Sequence, residues 1–364
     1  MKKLPIIVIV FVFCLTTAAL ANEGPEKKSI YRDLLGEDTF LTIGFLPIGF
    51  VKGHNTYHIT FDNPWDTGGH VECELEWPIN NFLLGAELNA VQKNPQNHRQ
   101  DRVKLNMAWF ISVNEKTSNK MKDSDWLGND DYYDDGVING STGQHAGKDI
   151  YSESDADLDK GHIVDVNYAY NFWPLNGLER KFENFDFGFG PILGYRYHYF
   201  SHAARSLDQI GYGPYAAGHT HKDLIGNTWG KYKLHEHMFY LGGNIDILLS
   251  DNFGFNVRGG YIPWISIRDE DTHLYPTSAI GHTMVSTGDC EGDGGLLNMS
   301  GNWEFYPDCT AELGAEYFFS KATGHMEQKH YIDGMFWYSA EAAGLKEWVS
   351  TSYWTFSGKI KFRF

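Results

Sequence analysis

The last twelve residues, YWTFSGKIKFRF, alternate between apolar and polar side chains up to the end of the chain. The apolar residues share one parity: Trp354, Phe356, Ile360, Phe362 and Phe364. Successive side chains of a strand point to opposite faces, so this pattern predicts a half-buried strand. Chain ends of soluble proteins are usually frayed and polar. An aromatic end on an alternating strand is therefore typical of the closing strand of an outer-membrane barrel.

The composition favours the same class of fold. Aromatic residues make up 15% of the chain, glycine is abundant at 39 residues and proline is sparse at 12. A membrane barrel has such a profile because its lipid face is apolar only at alternate positions and its rims carry aromatic girdles. A soluble β-sandwich or β-helix would also produce it.

The alternation recurs in HVECELEW and FDFGFGPILGYRYHYF, and seven further segments read as strands. Those segments are TIGFLPIGFVKGHNTYHITF, DRVKLNMAWFISV, IVDVNYAYNF, KLHEHMFYLGGNIDILL, FGFNVRGGYIPWISI, LLNMSGNWEFYP and TAELGAEYFF. With the closing strand the total is ten, an even number as a single-chain bacterial barrel requires. We predict an all-β fold, a ten-stranded antiparallel transmembrane β-barrel.

The predicted connections alternate in length. KNPQNHRQ, PLNGLERKFEN, SDN and PD are short, whereas 129–160, 201–230 and 274–295 read as long, Gly-rich polar loops. Short periplasmic turns and long extracellular loops are the pattern of such barrels.

The chain begins with Lys2 and Lys3, an apolar run from Ile6 to Leu15 and the triplet Ala19-Leu20-Ala21. This pattern predicts a signal peptide over 1–21, and a single barrel domain over 22–364. The alternative, a retained membrane anchor, requires a longer apolar run. Residues 22–364 hold 28 Lys and Arg against 47 Asp and Glu. Such an acidic chain is an improbable partner for nucleic acid, and it attracts cations or basic peptides.

Two predicted outward-running strands end in acidic clusters. The third is followed by DSDW, with Asp123 and Asp125, and the seventh by DEDTH, with Asp269, Asp271 and His273. An Asp-x-His pair on an extended chain points both side chains to one face, where the carboxylate orients the imidazole. We expect Asp123 and Asp125 to face this pair across the extracellular rim and to hold a water. His273 would then be the general base that activates the water against a peptide carbonyl.

The parity of the seventh strand raises a difficulty. Alternation that starts at Phe253 points Ile265 and Ile267 to lipid, and the same parity carries Asp271 outward. A charged side chain that faces hydrocarbon costs several kcal/mol of free energy, about 2–4 near the centre of the bilayer. Either the strand end rises above the bilayer, or a bulge at Pro263 shifts the register. We expect the first arrangement, and the third strand shows the same parity from Val103 through Val113 to Asp123 and Asp125.

The chain resembles the omptin family of outer-membrane proteases in four stretches: GGHVECELEW, DSDW, GYRYHYFSHAARS and FGFNVRGGYIPWISIRDEDTH. The resemblance extends over nearly all of residues 22–364, except the long loops. It implies a ten-stranded barrel in a Gram-negative outer membrane and cleavage of peptides or proteins at the cell surface. The implied catalytic residues are Asp123, Asp125, Asp271 and His273.

The resemblance also implies a pocket of two carboxylates for a basic substrate side chain. Asp269 matches one of them, but the first strand offers Tyr57, His58 and Thr60 and no acid. The family needs no metal or other cofactor but requires lipopolysaccharide, bound outside the barrel. In the corresponding part of the fifth predicted strand, this chain has Tyr197 and Tyr199.

Two histidine pairs and three cysteines suggest other chemistry. The pairs His219/His221 and His235/His237 have spacing suited to zinc on a strand, but no Cys lies beside either pair, so we predict no metal site. Cys73, Cys290 and Cys309 follow the signal peptide, and strand eight separates the last two too far for a disulfide. The alternative function is a non-enzymatic barrel, an adhesin or porin whose acidic loops bind cations or proteins.

Overall fold

The structure is a computed structural model that describes residues 39–62, 70–113, 119–126, 148–173, 185–211, 221–275, 281–340 and 345–364. Thirteen strands account for nearly all of these residues. They are β1 Thr39–Asp62, β2 His70–Pro78, β3 Asn81–Asn94, β4 Asn97–Ser112, β5 Asn119–Trp126, β6 Ile150–Tyr170, β7 Asp186–Gly211, β8 His221–Leu248, β9 Phe253–Tyr275, β10 His282–Tyr306, β11 Cys309–Ile332, β12 Met335–Ala340 and β13 Lys346–Arg363. The predicted signal peptide lies outside the described residues.

The strands form one antiparallel sheet that closes into a ring. From β6 to β11 each strand pairs with the next, and β13 closes the ring because it pairs with both β11 and β1. β3 and β4 lie between one part of β1 and β6. β2 and β5 lie between the other part of the same two strands. A closed ring leaves no long sheet edge unpaired. The all-β prediction, with a closing carboxyl-terminal strand, is confirmed.

We call the end of the barrel that holds turns 95–96, 249–252 and 307–308 the lower rim, and the opposite end the upper rim. The three short connections predicted at KNPQNHRQ, SDN and PD all lie at the lower rim, as expected. The fourth, PLNGLERKFEN, lies entirely outside the described residues.

The predicted long loops are partly wrong. β6 occupies 150–160, β7 and β8 continue through most of 201–230, and β9 and β10 through most of 274–295, so these strands are longer than expected. Residues 129–147 lie outside the described residues. Backbone pairing with neighbours continues here although large apolar side chains are sparse, so the alternation that marks a strand is weak in the sequence. β3 was missed because Leu83 and Leu84 place apolar side chains on both faces, and β12 was missed as well.

A bulge at Ile262 and Pro263 decides which way the upper part of β9 faces. Tyr261 pairs with Leu241 and Trp264 with Phe239, so two residues of β9 oppose the single residue Tyr240. Such an insertion reverses the parity of the strand beyond it.

Below the bulge, Phe253 and Phe255 are exposed, whereas above it Ile265, Ile267 and Asp271 are buried inside the ring. Our expectation that Asp269, Asp271 and His273 share the outward parity was therefore wrong. The bulge resolves the difficulty because it turns these side chains into the ring. In the third predicted strand, β4 ends at Ser112 and β5 begins at Asn119, so parity is not carried between them.

A band of exposed apolar side chains surrounds the lower part of the barrel. It includes Phe82, Leu105, Met107, Phe189, Leu193, Phe239, Leu241, Phe255, Leu297, Leu313, Phe319 and Phe356. Exposed apolar area of this extent marks a surface that another apolar phase or a partner covers. The part of the chain that the structure describes contains no helix whose length and apolar character would let it span a membrane.

The lower interior holds a balanced set of charges. Lys359 Nζ lies 2.6 Å from Glu87 Oε2 and 2.9 Å from Glu312 Oε1, and Lys361 bonds the same two carboxylates. Beside this lower charge ring, Lys104 pairs with Asp246 at 2.6 Å. Opposite charges that neutralise one another in this way offset the cost of burying each one.

A buried polar layer lies between the lower charge ring and the upper rim. Glu236 is fully buried; it pairs with His198 Nδ1 at 2.6 Å and accepts hydrogen bonds from Thr351 and Ser320. The Tyr353 hydroxyl bonds the other nitrogen of His198 at 2.8 Å. Each of these side chains has a hydrogen-bond partner within the layer, which makes the layer rigid.

Candidate active site

The upper end of β9 carries a histidine and an aspartate in direct contact. His273 Nε2 lies 2.8 Å from Asp271 Oδ2, and Trp229 packs edge-on against the imidazole with ring centroids 5.4 Å apart. Asp271 is 2% exposed. The residues are two apart on an extended strand, so both side chains point into the ring. The carboxylate and the indole together fix the orientation of the imidazole.

β5 brings Asp123 and Asp125 to the same interior from the other side. Both face inward, held by the pairing of β5 with β2 and β6, where Asp125 lies opposite Cys73 and Asp123 opposite Ser152. Ser152 Oγ donates to Asp123 Oδ2 at 3.5 Å, and Cys73 Sγ donates to Asp123 Oδ1 at 3.6 Å. The two predicted acidic clusters therefore face the same space inside the ring, above the buried polar layer, which we call the upper cavity.

The electrostatics link the two clusters. Burial alone lowers the pKa of His273, but the charge and hydrogen bond of Asp271, with Asp123 and Asp125, outweigh it and raise the pKa to about 9. Burial and the charge of Asp125 raise the pKa of Asp123 well above its usual range. At neutral pH the imidazole therefore holds a proton among acids.

A second acid pair lies beside the dyad. Asp269 on β9 and Glu347 on β13 are 3% and 0% exposed, and both lie against Gly288 of β10. A Cβ at position 288 would overlap both carboxyl groups, so the glycine makes room for them. Burial and the neighbouring acid raise the pKa of Glu347 to about 10, and burial raises the pKa of Asp269 to about 6. Among the described residues no Lys or Arg pairs with either acid.

Sequence reasoning missed Glu347. The second acid of the pocket was expected on the first strand. There the structure places Tyr57, which is buried and donates its hydroxyl to Met326 Sδ at 3.2 Å. The acid comes instead from the other side of β1, because β13 pairs Glu347 with Ile59. A signal was present, since the alternation of the closing strand extends upward and gives Glu347 the same parity as the inward Tyr353 and Lys359.

Of the two histidine pairs considered for zinc, the structure describes the side chains of His235 and His237, and these two do not form a ligand set. His235 and His237 lie on the outer face of β8, where their Nδ1 atoms bond the hydroxyls of Tyr197 and Tyr195 at 2.9 and 2.7 Å. His219 and the side chain of His221 lie outside the part of the chain that the structure describes. The part of the chain that the structure describes brings together a different group, Cys73 with Asp123 and Asp125, whose candidate ligand atoms lie within 4.8 Å of one another.

All three cysteines that follow the predicted signal peptide are free thiols. Cys290 donates to Glu347 Oε2 at 3.3 Å in the upper interior, while Cys309 begins β11 at the lower rim. The prediction that the two do not form a disulfide is confirmed.

Comparison with known proteins agrees with this architecture. A model of the omptin family matches residues 47–364. The outer membrane protease OmpT from Escherichia coli superposes with a TM-score of 0.67 at 15% identity, covering 94% of this chain and 100% of that one. The outer membrane protein OprG from Pseudomonas aeruginosa aligns at a TM-score of 0.27 and 10% identity, covering 88% of this chain and 97% of that one. No curated protein matches by sequence.

The match to the family model extends over most of the chain, including every strand that carries a candidate site residue. The superposition with a solved outer-membrane protease shows the same fold. The chain therefore belongs to the omptin family, and it is an outer-membrane β-barrel protein of a Gram-negative bacterium with the fold of an outer-membrane protease.

Proposed function

We propose that the chain is an endopeptidase that hydrolyses peptide bonds next to a basic residue at the cell surface. The observation that carries this proposal is the convergence in one upper cavity of the 2.8 Å Asp271–His273 contact with two pairs of acids. One pair is Asp123 and Asp125, and the other is Asp269 and Glu347. Catalytic sites commonly hold buried acids whose pKa values their neighbours raise.

The membrane topology that we propose is a ten-stranded transmembrane barrel with its upper rim outside the cell. β2 continues β3 beside β1, and β5 continues β4 beside β6, so each pair is one interrupted strand. β12 pairs with the upper end of β11 on the edge that β13 occupies below it, so β12 and β13 are a third interrupted strand. The apolar band around the lower part would face lipid. The upper cavity then opens to the extracellular side.

In the proposed mechanism a water lies between the imidazole and the acids of β5. His273 in its neutral form takes a proton from this water on the ring nitrogen that Asp271 does not bind, while the water oxygen attacks the peptide carbonyl carbon. Asp271 stabilises the imidazolium that forms. The proton then passes to the leaving amine as the carbon–nitrogen bond breaks. Asp123 and Asp125 hold the water in position.

Asp269 and Glu347 would bind the substrate's basic side chain. They are buried among the hydroxyl of Tyr232, the thiol of Cys290 and Gly288, and no cation of the described residues neutralises them. A guanidinium or ammonium entering this pocket releases the proton shared by the two acids and pairs with both. Removing one acid of a buried charge pair of this kind costs about 2–5 kcal/mol of binding, or at least about 30-fold.

The non-enzymatic alternative has less support. Large side chains fill the middle of the barrel, among them Trp77, Tyr232, Phe200 and Phe318, which does not favour a porin. An adhesin would need neither the oriented imidazole nor the buried acid pair.

A cleavage assay on the refolded barrel tests the proposal. Peptides that differ only in arginine against its uncharged analogue citrulline are compared, with and without lipopolysaccharide and a chelator. We expect wild type to prefer arginine, Glu347→Gln to lose at least about 30-fold on the arginine peptide alone, and His273→Ala to cut neither.

Glu291→Gln, which removes an exposed acid from the outer face of β10, is the matched control and should behave as wild type. Equal cleavage by wild type and His273→Ala would contradict the enzyme proposal. A Glu347→Gln enzyme that keeps its preference for arginine would contradict the pocket alone.

A further inference from the structure

Two enclosed oxygen atoms beside the dyad have no hydrogen-bond partner among the described residues. One is Asp271 Oδ1, the carboxylate oxygen that does not contact His273, and the other is the hydroxyl oxygen of Ser286 on β10. Asp271 is 2% exposed and Ser286 is 1% exposed. A buried polar atom without a partner is costly. Here an acceptor and a possible donor each lack one.

The pairing of β9 with β10 places these two residues opposite each other. Asp271 and Ser286 are register partners in the antiparallel ladder, and both side chains are buried inside the ring. Directly opposite residues of such a ladder have Cβ atoms about 4.5–5.5 Å apart. A serine hydroxyl donates one hydrogen bond and turns about a single bond among three staggered positions. Rotation of that bond alone can bring the hydroxyl to Asp271 Oδ1.

The other contacts of Asp271 leave this oxygen to Ser286. Asp271 Oδ2 lies 2.8 Å from His273 Nε2. On β8 the register partner of Asp271 is Tyr232, whose hydroxyl interacts electrostatically with Asp269 and Glu347. A donor on Oδ1 fixes the plane of the carboxylate, and that plane sets the direction of its contact with the imidazole.

We propose that Ser286 is a positioning residue, which donates a hydrogen bond to Asp271 Oδ1 and so holds the carboxylate against His273. The inference rests on the proposed function, since it adds a third member to the proposed dyad. The exposed fraction of the side chain falls from 15% for His273 to 3% for Asp271, and Ser286 is 1% exposed. The serine is the most enclosed of the three, and we assign it no contact with substrate.

Loss of this hydrogen bond should change the imidazole in a defined direction. A donor on Oδ1 withdraws negative charge from Asp271, so without it the carboxylate attracts the imidazolium proton more strongly. The pKa of His273, about 9 in wild type, should therefore rise in Ser286→Ala. A merely structural role of Ser286 predicts the opposite, because a carboxylate that moves away from the imidazole lowers that pKa.

The titratable groups that surround the dyad are the same in wild type and in Ser286→Ala. They are Tyr57 on β1, Cys73 on β2, Asp123 and Asp125 on β5, Tyr232 on β8, Asp269 on β9 and Glu347 on β13. A difference between the two proteins in the pKa of His273 therefore reports on the hydroxyl of Ser286.

Kinetics of the refolded full-length barrel on the arginine peptide test the proposal. In Ser286→Ala we expect kcat at neutral pH to fall about tenfold, the lower end for a hydrogen bond to a charged group. KM should stay unchanged, and the rise of kcat with pH should move to higher pH. Ser286→Thr keeps the hydroxyl and should restore both values. Ser300→Ala, which changes a buried serine of the lower interior on the same strand, is the matched control.

Heat-dependent migration in gels shows whether each variant is folded. An unchanged kcat in folded Ser286→Ala would overturn the proposal, and so would a shift of the pH profile to lower pH or a Ser286→Thr enzyme as slow as Ser286→Ala.

A measurement without substrate separates this proposal from the proposed function. Titration of the His273 imidazole is followed by NMR in histidine-labelled barrel, and its signal is identified by its absence from His273→Ala. If wild type cuts no peptide, the proposed function fails, but a higher pKa in Ser286→Ala still supports the hydrogen bond to Asp271. An unchanged or lower pKa overturns it.

Discussion

The lower and upper interiors of this barrel bury acids in opposite ways. In the lower charge ring, Glu87 and Glu312 each contact both Lys359 and Lys361. In the upper cavity, Asp269, Asp271 and Glu347 have no lysine or arginine partner among the described residues, and His273 is the one cation bonded to an acid of this set. The same closed sheet thus holds a neutral region and an acidic one, separated by the buried polar layer.

The difference teaches which charges serve the fold. A buried acid with its cation in place adds rigidity, and removing one partner leaves a costly charge. A buried acid without a cation costs stability in the free protein, and it is retained where binding or chemistry needs it. Variants of the lower charge ring should therefore change stability without changing catalysis, whereas variants of the upper cavity should change catalysis.

The largest expected effect is loss of the imidazole. His273→Ala should reduce kcat/KM about 10²- to 10⁴-fold, the range for removal of a general base, and should lower the unfolding midpoint because the buried Asp271 loses the cation bonded to it. Steady-state kinetics on the arginine peptide, together with urea unfolding, measure both quantities. His58→Ala, on the outer face at the same level of the barrel, is the control. Comparable losses in both variants would remove the catalytic role of His273.

Breaking the lower charge ring should have the converse result. Lys359→Met leaves Glu87 and Glu312 to share Lys361, so we expect about 3–5 kcal/mol less stability, and unchanged kcat/KM for the folded fraction. Urea unfolding in detergent measures the loss. Lys329→Met, which removes a partly exposed pair with Glu327, should change stability by no more than about 1 kcal/mol. A kinetic defect without a stability change would contradict the division between the two regions.

Glu347→Gln should stabilise the free protein at alkaline pH. The folded pKa of Glu347, about 10, lies above its unfolded value, so the folded state holds an extra proton between about 4.5 and 10. Stability of wild type then falls as pH rises through this window, by up to about 1.4 kcal/mol per pH unit. Glutamine removes that dependence. Thermal unfolding of both proteins at pH 5, 7 and 9 tests this, and parallel curves would contradict it.

The smallest effect is the pH dependence of cleavage. A pKa of about 9 leaves His273 protonated at neutral pH, so the neutral base, and with it kcat/KM, should rise up to tenfold per pH unit and level off near pH 9. An arginine peptide keeps its charge over this range. The Glu347→Gln variant should keep the same slope, because the pocket is not the base. A rate that falls between pH 7 and 9 would show that the protonated imidazole is the active form.

Much of this barrel could be predicted from sequence because its lower part has one apolar face. Alternation identified β1, β7, β9 and β13, as well as the direction of the inward Lys359 and Lys361. Above the apolar band large apolar side chains are sparser, and the upper parts of β6, β7, β8 and β10 were taken for loops.

Two features of the candidate site depended on information that alternation does not carry. The bulge at Ile262 and Pro263 inserts one residue, and parity counted along the sequence cannot show that it is there. Glu347 was missed because pairing between the two ends of the chain, and not neighbours in sequence, brings it to Asp269. The motifs DSDW and DEDTH could be found because each lies within five residues.

Ring closure by the last strand gives the barrel a safeguard during its own assembly. Glu347 lies on β13 and comes to lie beside Asp269 only when β13 has paired with both β1 and β11. Under the proposed function, a chain that has not yet closed its ring has the proposed catalytic side chains but lacks the pocket that binds the basic side chain of a substrate. We therefore expect selective cleavage only from the closed barrel.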